Sequence, residues 1–575
     1  MLRWSGSQQV TDRNRAEQHG LVVAFAFPAR APRHSEATHE RWTGLAQRER
    51  GLCVPLKATK WKRDLWHSRK LQMQEPAQRN REQVQALVVG SGVTGSSFAF
   101  LLQHAGISDV ICTEARGEVG GNLISRSKDG YLWEEGPNTF QPTPVILKLA
   151  RDAGLESELV FADAKLPRYV YWEGVLHALP SSPADLITGR FRLLSNAGKA
   201  RAALGALGFV GAPKRVARQA GPEPSEDADL ADESVEEFVT RHLGREVFLK
   251  IIDPFVSGVY AGDPSKLSMA AAFKRVYALE QLGGTRGILE GALIRLQQRR
   301  RERQRWAAEN LPKVKAGALG SFREGLQQLP LTVATRLGPE RMRTRYALRQ
   351  IEYNGAKRGK RRYTARFETP DGERVIETDA LILTIPAHAA SPLLQGLGVS
   401  GSELLQEIDF PPVYSVTLAY PKFAARFPLN GFGNLIPRSA GIRTLGMVWS
   451  SSLFPERAPP DMNMVLSYIG GARDPGIREC TPDEVAALVD ADMRRVLLRA
   501  DAPSPQVLGV RLWPRAIPQY NRGHLRRLEA CNQGLQGFPG LFLGGNYLSG
   551  VSFGDCVQWA YDNVPRVLTF LQETA

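Results

Sequence analysis

The segment from Val84 to Glu114 constrains the fold more than any other part of the chain. An apolar stretch leads into Gly90-Ser91-Gly92-Val93-Thr94-Gly95, which is followed by a helix-like apolar segment and by a second apolar stretch that ends on Glu114. In such a unit the first glycine permits a tight turn, the second lets the backbone approach a pyrophosphate, and the third lets the helix pack closely on the strand. Glu114 lies 19 residues after Gly95, where a carboxylate can meet a ribose hydroxyl. The segment therefore predicts a dinucleotide-binding βαβ unit.

The residues that follow Glu114 favour a flavin dinucleotide over a nicotinamide one. Ala115 to Asn122 is a polar continuation that contains Gly120 and Gly121. Nicotinamide enzymes do not usually need it, whereas FAD reaches further across its domain and requires the backbone to approach the ribityl chain and pyrophosphate closely. An ordinary strand–turn–helix connection is the alternative that the glycine motif alone leaves open.

A second glycine-rich segment lies near the C-terminus. Gly540 to Asn546 is typical of a buried strand that ends in a double glycine, and Gly550 to Cys556 leads into an apolar helix that we expect to begin at Val557. Because a helix N-terminus presents unpaired N–H groups, we expect this segment to contact the flavin ring or the ribityl oxygens. The alternative is a plain strand, loop and helix that close the domain.

The composition is that of a globular protein with two or three domains. The 575 residues are 43% hydrophobic and 23% charged, and no run of 18 or more apolar residues occurs. A membrane-spanning helix is therefore not expected, and membrane contact would be peripheral. The five cysteines form no CxxC pair and no metal-ligand spacing, so neither disulfides nor a metal site is predicted.

The formal net charge of +15 does not indicate nucleic-acid binding. Much of the charge lies in residues 1–82 and in Gln297 to Arg305, which is typical of a solvated helix face, and no basic patch interleaved with aromatic residues appears elsewhere. Residues 1–82 lack clear periodicity, so we expect a targeting or linker segment there. The apolar run Leu21 to Phe27 and the basic stretch after it resemble the signal-to-transit junction of proteins sent to plastids. A disordered extension without an address is the alternative.

Beyond these local patterns, the chain from Val84 to Leu571 resembles the oxygen-dependent protoporphyrinogen oxidases of the plastid type, a branch of the flavin amine oxidase superfamily. The segments that carry the resemblance are Gly121–Ser125, Trp133–Pro142, Pro254–Met269, Gly446–Pro455 and Trp513–Tyr520. The sequence Val-Tyr-Ala-Gly-Asp-Pro within Pro254–Met269 is highly specific.

The resemblance implies an α/β fold with three parts: a Rossmann-like FAD-binding domain built from discontinuous segments, a mixed-sheet substrate domain and a helical membrane-facing domain. The FAD-binding domain would comprise residues 83–165, 299–395 and 516–575. The substrate domain would comprise residues 166–178 and 396–515, and the helical domain residues 179–298.

The activity that the resemblance implies is oxidation of protoporphyrinogen IX to protoporphyrin IX, at the branch toward haem and chlorophyll. Six electrons would leave the substrate in three FAD cycles, each passing its electrons to dioxygen with release of hydrogen peroxide. The protein would be a plastid enzyme in peripheral contact with a membrane, and a homodimer. No catalytic side chain is expected, because hydride transfer is the chemistry of the cofactor and the protein supplies orientation.

The cofactor contacts that the resemblance implies fall on the glycine loop, its acidic partner and several later segments. Leu348 would pack on the adenine, and Glu135 to Asn138 would lie over the flavin ring. The complete set is Gly90, Ser91, Gly92, Val93, Thr94, Gly95, Glu114, Ala115, Gly121, Asn122, Glu135, Gly136, Pro137, Asn138, Leu348, Trp513, Val551, Ser552 and Phe553.

Three residues are expected on the substrate side. Arg168 matches the arginine that the family uses to hold a porphyrinogen propionate, and a guanidinium suits that task because it offers two parallel hydrogen bonds to a carboxylate. Trp449 falls where relatives place an aromatic residue that stacks on a pyrrole ring, although a Tyr or Phe is expected there. A larger indole would narrow the pocket. Gly431 would lie on the same pocket wall.

Two other functions share the flavin signature. A carotenoid desaturase or an amine oxidase would be compatible with it, but Arg168, Trp449 and the segment Val259–Asp263 argue against them. A flavoprotein that binds FAD without turnover is the non-enzymatic alternative.

Overall fold

A computed structural model of the chain describes residues 80–180, 185, 191–210, 232–283, 287–306, 309–356 and 359–574. Residues 1–79 of the predicted leader lie outside these ranges, and so do residues 211–231 of the predicted helical domain. Within them, no helix combines the length and the apolarity that crossing a bilayer requires.

The strands are β1 (Arg81–Val89), β2 (Val110–Glu114), β3 (Ser125–Lys128), β4 (Tyr131–Glu134), β5 (Leu159–Phe161), β6 (Arg168–Trp172), β7 (Val175–Ala178), β8 (Gly320–Phe322), β9 (Met342–Thr344), β10 (Ala347–Tyr353), β11 (Tyr363–Thr369), β12 (Gly372–Leu383), β13 (Val413–Pro421), β14 (Gly433–Leu435), β15 (Thr444–Trp449), β16 (Met462–Gly470), β17 (Gln506–Trp513) and β18 (Leu541–Leu543). The α-helices are α1 (Val93–His104), α2 (Pro144–Asp152), α3 (Asn196–Ala206), α4 (Val235–Leu243), α5 (Arg245–Val247), α6 (Asp253–Tyr260), α7 (Met269–Ala272), α8 (Lys274–Gly283), α9 (Gly287–Trp306), α10 (Gln328–Leu337), α11 (Ala387–Leu397), α12 (Ser450–Leu453), α13 (Pro482–Val496), α14 (His524–Leu535) and α15 (Phe553–Thr574). A π-helical stretch, Phe248–Ile252, joins α5 to α6.

The first sheet carries the predicted βαβ unit. Its strand order is β10-β11-β12-β1-β2-β9. The seventh strand, β18, pairs in parallel with the last three residues of β12, beyond the part that pairs with β11. β1 is parallel to both β2 and β12, and α1 connects β1 to β2 as the glycine motif predicts. Alternate residues of β1 face separate hydrophobic clusters, Ala86 and Val88 on the side of α1 and α15, Leu87 and Val89 on the side of α11 and α14. Burial on both faces is typical of parallel strands and explains the nearly continuous apolar sequence.

The backbone conformation sets the strand boundaries in this sheet, and β1 begins at Arg81. Residues 342–353 form two strands, β9 and β10, because Arg345 adopts a left-handed conformation with φ of 60° and interrupts the extended backbone. Conversely, β12 is one long strand, since no Gly or Pro interrupts it after Gly372.

The predicted start of the C-terminal helix is wrong, because α15 begins at Phe553 and not at Val557. The Ser552 hydroxyl oxygen accepts a hydrogen bond from the backbone N–H of Asp555 at 3.1 Å, and the hydroxyl donates to the Asp555 carboxylate at 2.6 Å. This cap starts the helix one turn earlier than the apolar pattern indicates.

The second sheet unites two distant parts of the chain. Its order is β17-β13-β16-β15-β14-β6-β7, so the short pair β6 and β7 joins the strands from residues 413–513. β14 runs parallel to β6, which places Gly433 opposite Arg168. One face packs against α13, and the other packs against the helices between residues 235 and 260. A capping box begins α4, with the Ser234 hydroxyl accepting from the Glu237 N–H.

Candidate functional site

At two glycines around the loop between β1 and α1, Gly95 and Gly121, an added Cβ atom would clash with the backbone. Gly90 has a φ of 103°, and a Cβ atom on Gly95 would lie 1.9 Å from the carbonyl oxygen of Gly90. A Cβ atom on Gly121 would lie 2.8 Å from the Cα atom of Gly92. The close approach of α1 to β1 that Gly95 predicts is therefore present. Gly92 and Gly121 also lie against each other, which leaves a backbone-lined cradle at the N-terminus of α1.

Glu114 lies at the end of β2 beside this cradle. One of its carboxylate oxygens accepts hydrogen bonds from the Ser91 N–H at 3.1 Å and from the Ser91 hydroxyl at 2.8 Å. The other accepts from the Arg116 N–H at 3.0 Å. Its backbone carbonyl accepts from the Tyr346 N–H at 2.8 Å, which places Leu348, half-buried and two residues further along, near Glu114. Ala115, the next residue after Glu114, is exposed.

The segment Glu135 to Asn138 meets the glycine-rich continuation. A Cβ atom on Gly136 would lie 1.9 Å from the carbonyl oxygen of Asn122, so these two parts of the predicted cofactor site touch. The indole N–H of Trp513 donates to the carbonyl oxygen of Glu135, which brings this predicted contact to the same place. Pro137 is exposed, whereas Asn138 is 0% exposed and its side-chain oxygen has no hydrogen-bond partner among the described residues.

The C-terminal contacts are close to the glycine loop. Cys556, one turn into α15, lies beside Thr94 at the start of α1, and Trp559 packs on Phe98 with ring centroids 5.3 Å apart. Phe553, however, packs on Phe140 in the hydrophobic core at 5.3 Å between centroids. Its side chain is therefore occupied by packing, and a cofactor contact at Phe553 would come from its backbone. Val551 is half-buried and Ser552 caps α15.

Arg168 begins β6 and lines a cleft between the second sheet and α6. The cleft is lined by Arg168, Tyr169, Leu179, Gly258, Phe432, Gly433, Asn434, Leu435, Gly446, Met447, Val448 and Tyr468. The guanidinium lies over the Phe432 ring at 5.4 Å and reaches the Gly317 carbonyl only at 3.4 Å, while its Nε is buried without a partner. Burial lowers the pKa of the guanidinium, and no carboxylate among the described residues pairs with it. The cleft thus combines mainly apolar walls with the half-buried guanidinium of Arg168.

Trp449, which is predicted to stack on a pyrrole ring, is not among the residues that line the cleft beside Arg168. Trp449 is 1% exposed, stacks on Tyr169 at 5.2 Å between centroids and donates its indole N–H to the Asn434 side chain at 3.2 Å. Successive residues of a strand face opposite sides of the sheet, so Val448 lines the cleft while Trp449 packs toward α13. Gly431 lies against Trp449 and Tyr169, outside the cleft lining, because a Cβ atom there would meet both rings within 2.9 Å. The aromatic wall beside Arg168 is Phe432.

Three residues of the second sheet that sequence reasoning missed hold the segment Glu135 to Asn138. The Ser415 hydroxyl donates to the Glu135 carbonyl at 2.7 Å, and Arg511 pairs with the Glu135 carboxylate at 2.6 Å. The Tyr468 hydroxyl donates to the Gly136 carbonyl at 2.8 Å. They lie on β13, β17 and β16, in ordinary strand sequence, so no local signal marks them.

Glu134 and Glu135 are neighbours with different surroundings. Glu134 is fully buried, and its carboxylate accepts from the Ser125 hydroxyl at 2.7 Å and from the Leu326 N–H at 2.7 Å. Burial raises the pKa of Glu134 to about 8, although these hydrogen bonds and nearby Arg457 oppose the shift. Glu134 thus ties β4 to β3 and to the loop before α10.

Several observations fit a bound dinucleotide. Gly92 and Gly121 approach each other closely at the N-terminus of α1, Glu114 ends the second strand of the unit, and the buried side-chain oxygen of Asn138 needs a donor that the described protein residues do not supply. No group of His, Cys, Asp and Glu side chains in the described ranges is arranged for a metal ion.

Comparisons with known proteins agree with this geometry. The flavin containing amine oxidoreductase family matches residues 93–567. The chain is 45% identical over 498 residues to protoporphyrinogen oxidase 1, chloroplastic, of Spinacia oleracea, a match that covers 85% of this chain and 84% of that protein. It is 43% identical over 507 residues to the chloroplastic protoporphyrinogen oxidase of Oryza sativa subsp. japonica, covering 86% and 90% of the two chains.

Solved structures show the same fold at low identity. Cyclohexylamine oxidase from Brevibacterium oxydans IH-35A superposes with a TM-score of 0.55 at 14% identity, covering 86% of this chain and 99% of that one. The chain belongs to the flavin containing amine oxidoreductases and, within them, to the plastid-type protoporphyrinogen oxidases. FAD is the cofactor of this family, and the residues around the glycine loop fit it.

Proposed function

We propose that the protein oxidises protoporphyrinogen IX to protoporphyrin IX with FAD as its cofactor and dioxygen as the electron acceptor. Relatives at 45% and 43% identity are named for this substrate. In the structure, the observation that supports the proposal is the half-buried guanidinium of Arg168, which lines a mainly apolar cleft and whose buried Nε has no partner among the described residues.

The chemistry of the cleft matches a porphyrinogen. Such a substrate is a large apolar macrocycle that carries two propionates, so it needs apolar walls and a cation at one place. Phe432, Leu435 and Val448 supply the walls, and Arg168 supplies the cation. A buried charge without a partner is costly, and a substrate carboxylate would relieve that cost with two parallel hydrogen bonds.

The protein positions the reactants and FAD, when bound, supplies the hydride acceptor. Gly90 to Gly95, Glu114 and Gly121 would hold the dinucleotide portion, and Glu135 to Asn138 would lie at the ring. Tyr468 lines the cleft and contacts Gly136, so the cleft adjoins this ring segment. Apolar walls exclude water from the reaction, which favours hydride transfer.

The deciding experiment is an oxidation assay in air. Purified FAD-loaded protein given protoporphyrinogen IX should develop porphyrin fluorescence faster than the uncatalysed rate and release about three hydrogen peroxide molecules per porphyrin formed. An anaerobic sample of the same protein is the matched control and should stop after the bound flavin is reduced. FAD-loaded protein that leaves the rate in air unchanged would contradict the proposal.

We also propose that one surface of the helical segments contacts a lipid membrane. Apolar side chains are exposed at the end of α3 and along α9, with Phe209 at 75% and Leu293 at 57% exposure, and the others are Leu204, Leu207, Val210, Leu289 and Leu296. Leu289, Leu293 and Leu296 recur every three to four residues and share one side of α9. The sequence of α9 continues through Gln297 to Arg305, which contains five arginines and one glutamate, and such a combination favours an anionic membrane surface.

A vesicle assay tests this surface. The double change Leu289→Ser and Leu293→Ser should lower binding to vesicles of phosphatidylcholine and phosphatidylglycerol by roughly 10-fold or more, because each buried leucine contributes about 1.5–3 kcal/mol. Phe423→Ser is the control, since Phe423 is 72% exposed in a different part of the chain. Equal loss for both proteins, or none for either, would contradict a membrane contact at α9.

The remaining proposals concern location and organisation. We expect residues 1–82 to direct the protein to a plastid, and fusion of this segment to a fluorescent protein tests it. The three-part division of residues 83–575 and the homodimer also stay predictions. Analytical ultracentrifugation of FAD-loaded protein distinguishes a dimer from a monomer.

A further inference from the structure

We propose that Tyr468 is a positioning residue that couples the substrate cleft to the segment holding the flavin ring. The inference rests on the proposed function and adds a residue that the motifs of the chain do not mark. Tyr468 contacts two parts of the site: its ring lines the cleft, and its hydroxyl makes two hydrogen bonds to the segment Glu135 to Asn138.

The ring of Tyr468 belongs to the substrate side. It lies on β16 and lines the same cleft as Arg168, Phe432 and Leu435. The phenol is half-buried in the sheet that forms the cleft wall, so a substrate in the cleft would lie against this strand.

The hydroxyl of Tyr468 belongs to the cofactor side. Its single proton is donated to the Gly136 carbonyl at 2.8 Å, and its oxygen accepts a hydrogen bond from the Asn138 amide nitrogen at 2.8 Å. Burial, with a smaller contribution from Glu134, raises the pKa of the phenol well above its ordinary value. The hydroxyl therefore stays protonated and remains a donor to Gly136 throughout the working pH range.

This arrangement fixes the orientation of the Asn138 amide. Because the only hydroxyl proton is used on Gly136, Asn138 must present its NH2 group to Tyr468, and its carbonyl oxygen then points elsewhere. That oxygen is buried and has no partner in the described part of the protein. A buried acceptor of this kind needs a donor, and the isoalloxazine ring carries ring N–H groups that match.

The link also has a structural counterpart on the neighbouring strand. Ser415 on β13 donates to the Glu135 carbonyl at 2.7 Å, so two hydroxyls from the second sheet hold successive carbonyls of the ring segment. A shift of the cleft wall would therefore be transmitted to Glu135 to Asn138. Tyr468 differs from Ser415 because it alone also lines the cleft.

Tyr468→Phe is the direct test, because it removes the hydroxyl and keeps the ring in the cleft wall. FAD-loaded protein should show a shifted flavin absorption band, an FAD dissociation constant raised roughly 3- to 10-fold and a kcat lowered to a similar extent, with the KM for protoporphyrinogen within about 2-fold. Tyr414→Phe is the matched control. Tyr414 lies buried in the same sheet and donates to the Cys480 carbonyl at 2.8 Å, away from the ring segment, so its flavin band should not move.

Asn138→Ala removes the hydrogen bond between Asn138 and the Tyr468 hydroxyl, and it replaces the first test if the Tyr468 variant does not fold. It should shift the flavin band in the same direction as Tyr468→Phe. An unchanged band in the folded variants, or equal effects of Tyr468→Phe and Tyr414→Phe, would overturn the inference. The flavin band and the FAD affinity are measured without porphyrinogen. If the variants show these shifts but the wild-type protein fails the oxidation assay, the result would overturn the proposed function alone.

Discussion

Arg168 shows how one side chain distinguishes substrate binding from cofactor binding. Its guanidinium is half-buried in the cleft, and its contacts within the described part of the chain, with Gly317 and Phe432, lie away from the glycine loop and Glu114. A hydrogen-bonded pair with a charged partner contributes about 1.5–3 kcal/mol, so Arg168→Ala should raise the KM for protoporphyrinogen roughly 10- to 100-fold. The FAD content should stay near that of the wild type.

Arg443→Ala is the control for this prediction. Arg443, just before β15, pairs with Asp474, just after β16, at 2.8 Å and is partly exposed, so its loss should leave KM within about 2-fold. Steady-state kinetics and the ratio of flavin to protein absorbance provide both readouts. Parallel losses of FAD and of substrate affinity in Arg168→Ala would show that the assignment is wrong.

Gly95 is a position in the glycine loop at which no side chain fits. A Cβ atom there would lie 1.9 Å from the Gly90 carbonyl oxygen, so Gly95→Ala must push α1 away from β1. We expect this variant to retain less than a tenth of the wild-type FAD and to unfold at a lower temperature. Gly396→Ala provides the contrast, because Gly396 lies in α11 with open space around it and alanine should stabilise that helix by about 0.5–1 kcal/mol. Normal FAD content in Gly95→Ala would contradict the role of the close approach.

At the scale of elements, the start of α3 depends on a carboxylate from another helical segment. Glu246, on α5, accepts from the Ser195 N–H at 2.9 Å and from the Ser195 hydroxyl at 2.7 Å, and it pairs with Lys250 at 2.9 Å. Although burial opposes the shift, these hydrogen bonds and the nearby lysine lower the pKa of Glu246 to about 2. Because the folded-state pKa is lowered, the stabilisation is present above the ordinary value of 4.5 and is lost as the pH falls through about 2.

Glu246→Gln should therefore destabilise the protein by about 1–2 kcal/mol at pH 7, after allowance for solvent screening of a partly exposed group. The difference from the wild type should narrow as the pH falls from about 4.5 to about 2. Thermal unfolding across this range measures it. Glu368→Gln is the control, since Glu368 forms an exposed pair with Arg349 and its loss should cost less than about 1 kcal/mol. A difference that does not change with pH would contradict the role of the charge.

Elements could be predicted where the signal is local. The capping box of α4 and the βαβ unit from Arg81 to Glu114 follow from residue types at fixed spacing. The break at Arg345 could not be predicted, because a non-glycine residue with positive φ has no reliable sequence signature and depends on its neighbours. The early start of α15 was missed because Ser552 caps it before the apolar pattern begins.

At the scale of the whole molecule, β1 sets the limit for removing the N-terminal segment. Arg81 to Val84 pair with Val375 to Thr378 of β12, and Asn80 accepts a hydrogen bond from the Val375 N–H at 2.9 Å. Deletion of residues 1–79 should leave FAD content and activity within about 2-fold of the full chain. Deletion of residues 1–84 should lower the unfolding temperature by several degrees, because it removes the backbone pairing of four residues of β1 with β12. Equal stability of the two shortened proteins would show that this part of β1 is dispensable.

The sequence by itself determined the nucleotide unit and the identity of its glycines, since these depend on short-range geometry that residue type and spacing encode. Through the resemblance, it also identified Arg168 as a candidate substrate-binding residue. Only the tertiary structure decided which side chains face the cleft: Phe432 does, whereas Trp449 packs toward α13 because adjacent strand residues face opposite sides. It also brought Ser415, Tyr468 and Arg511 to Glu135 to Asn138 across about 280 to 376 residues of chain. Contacts of that range are made by sheet packing, and no local pattern records them.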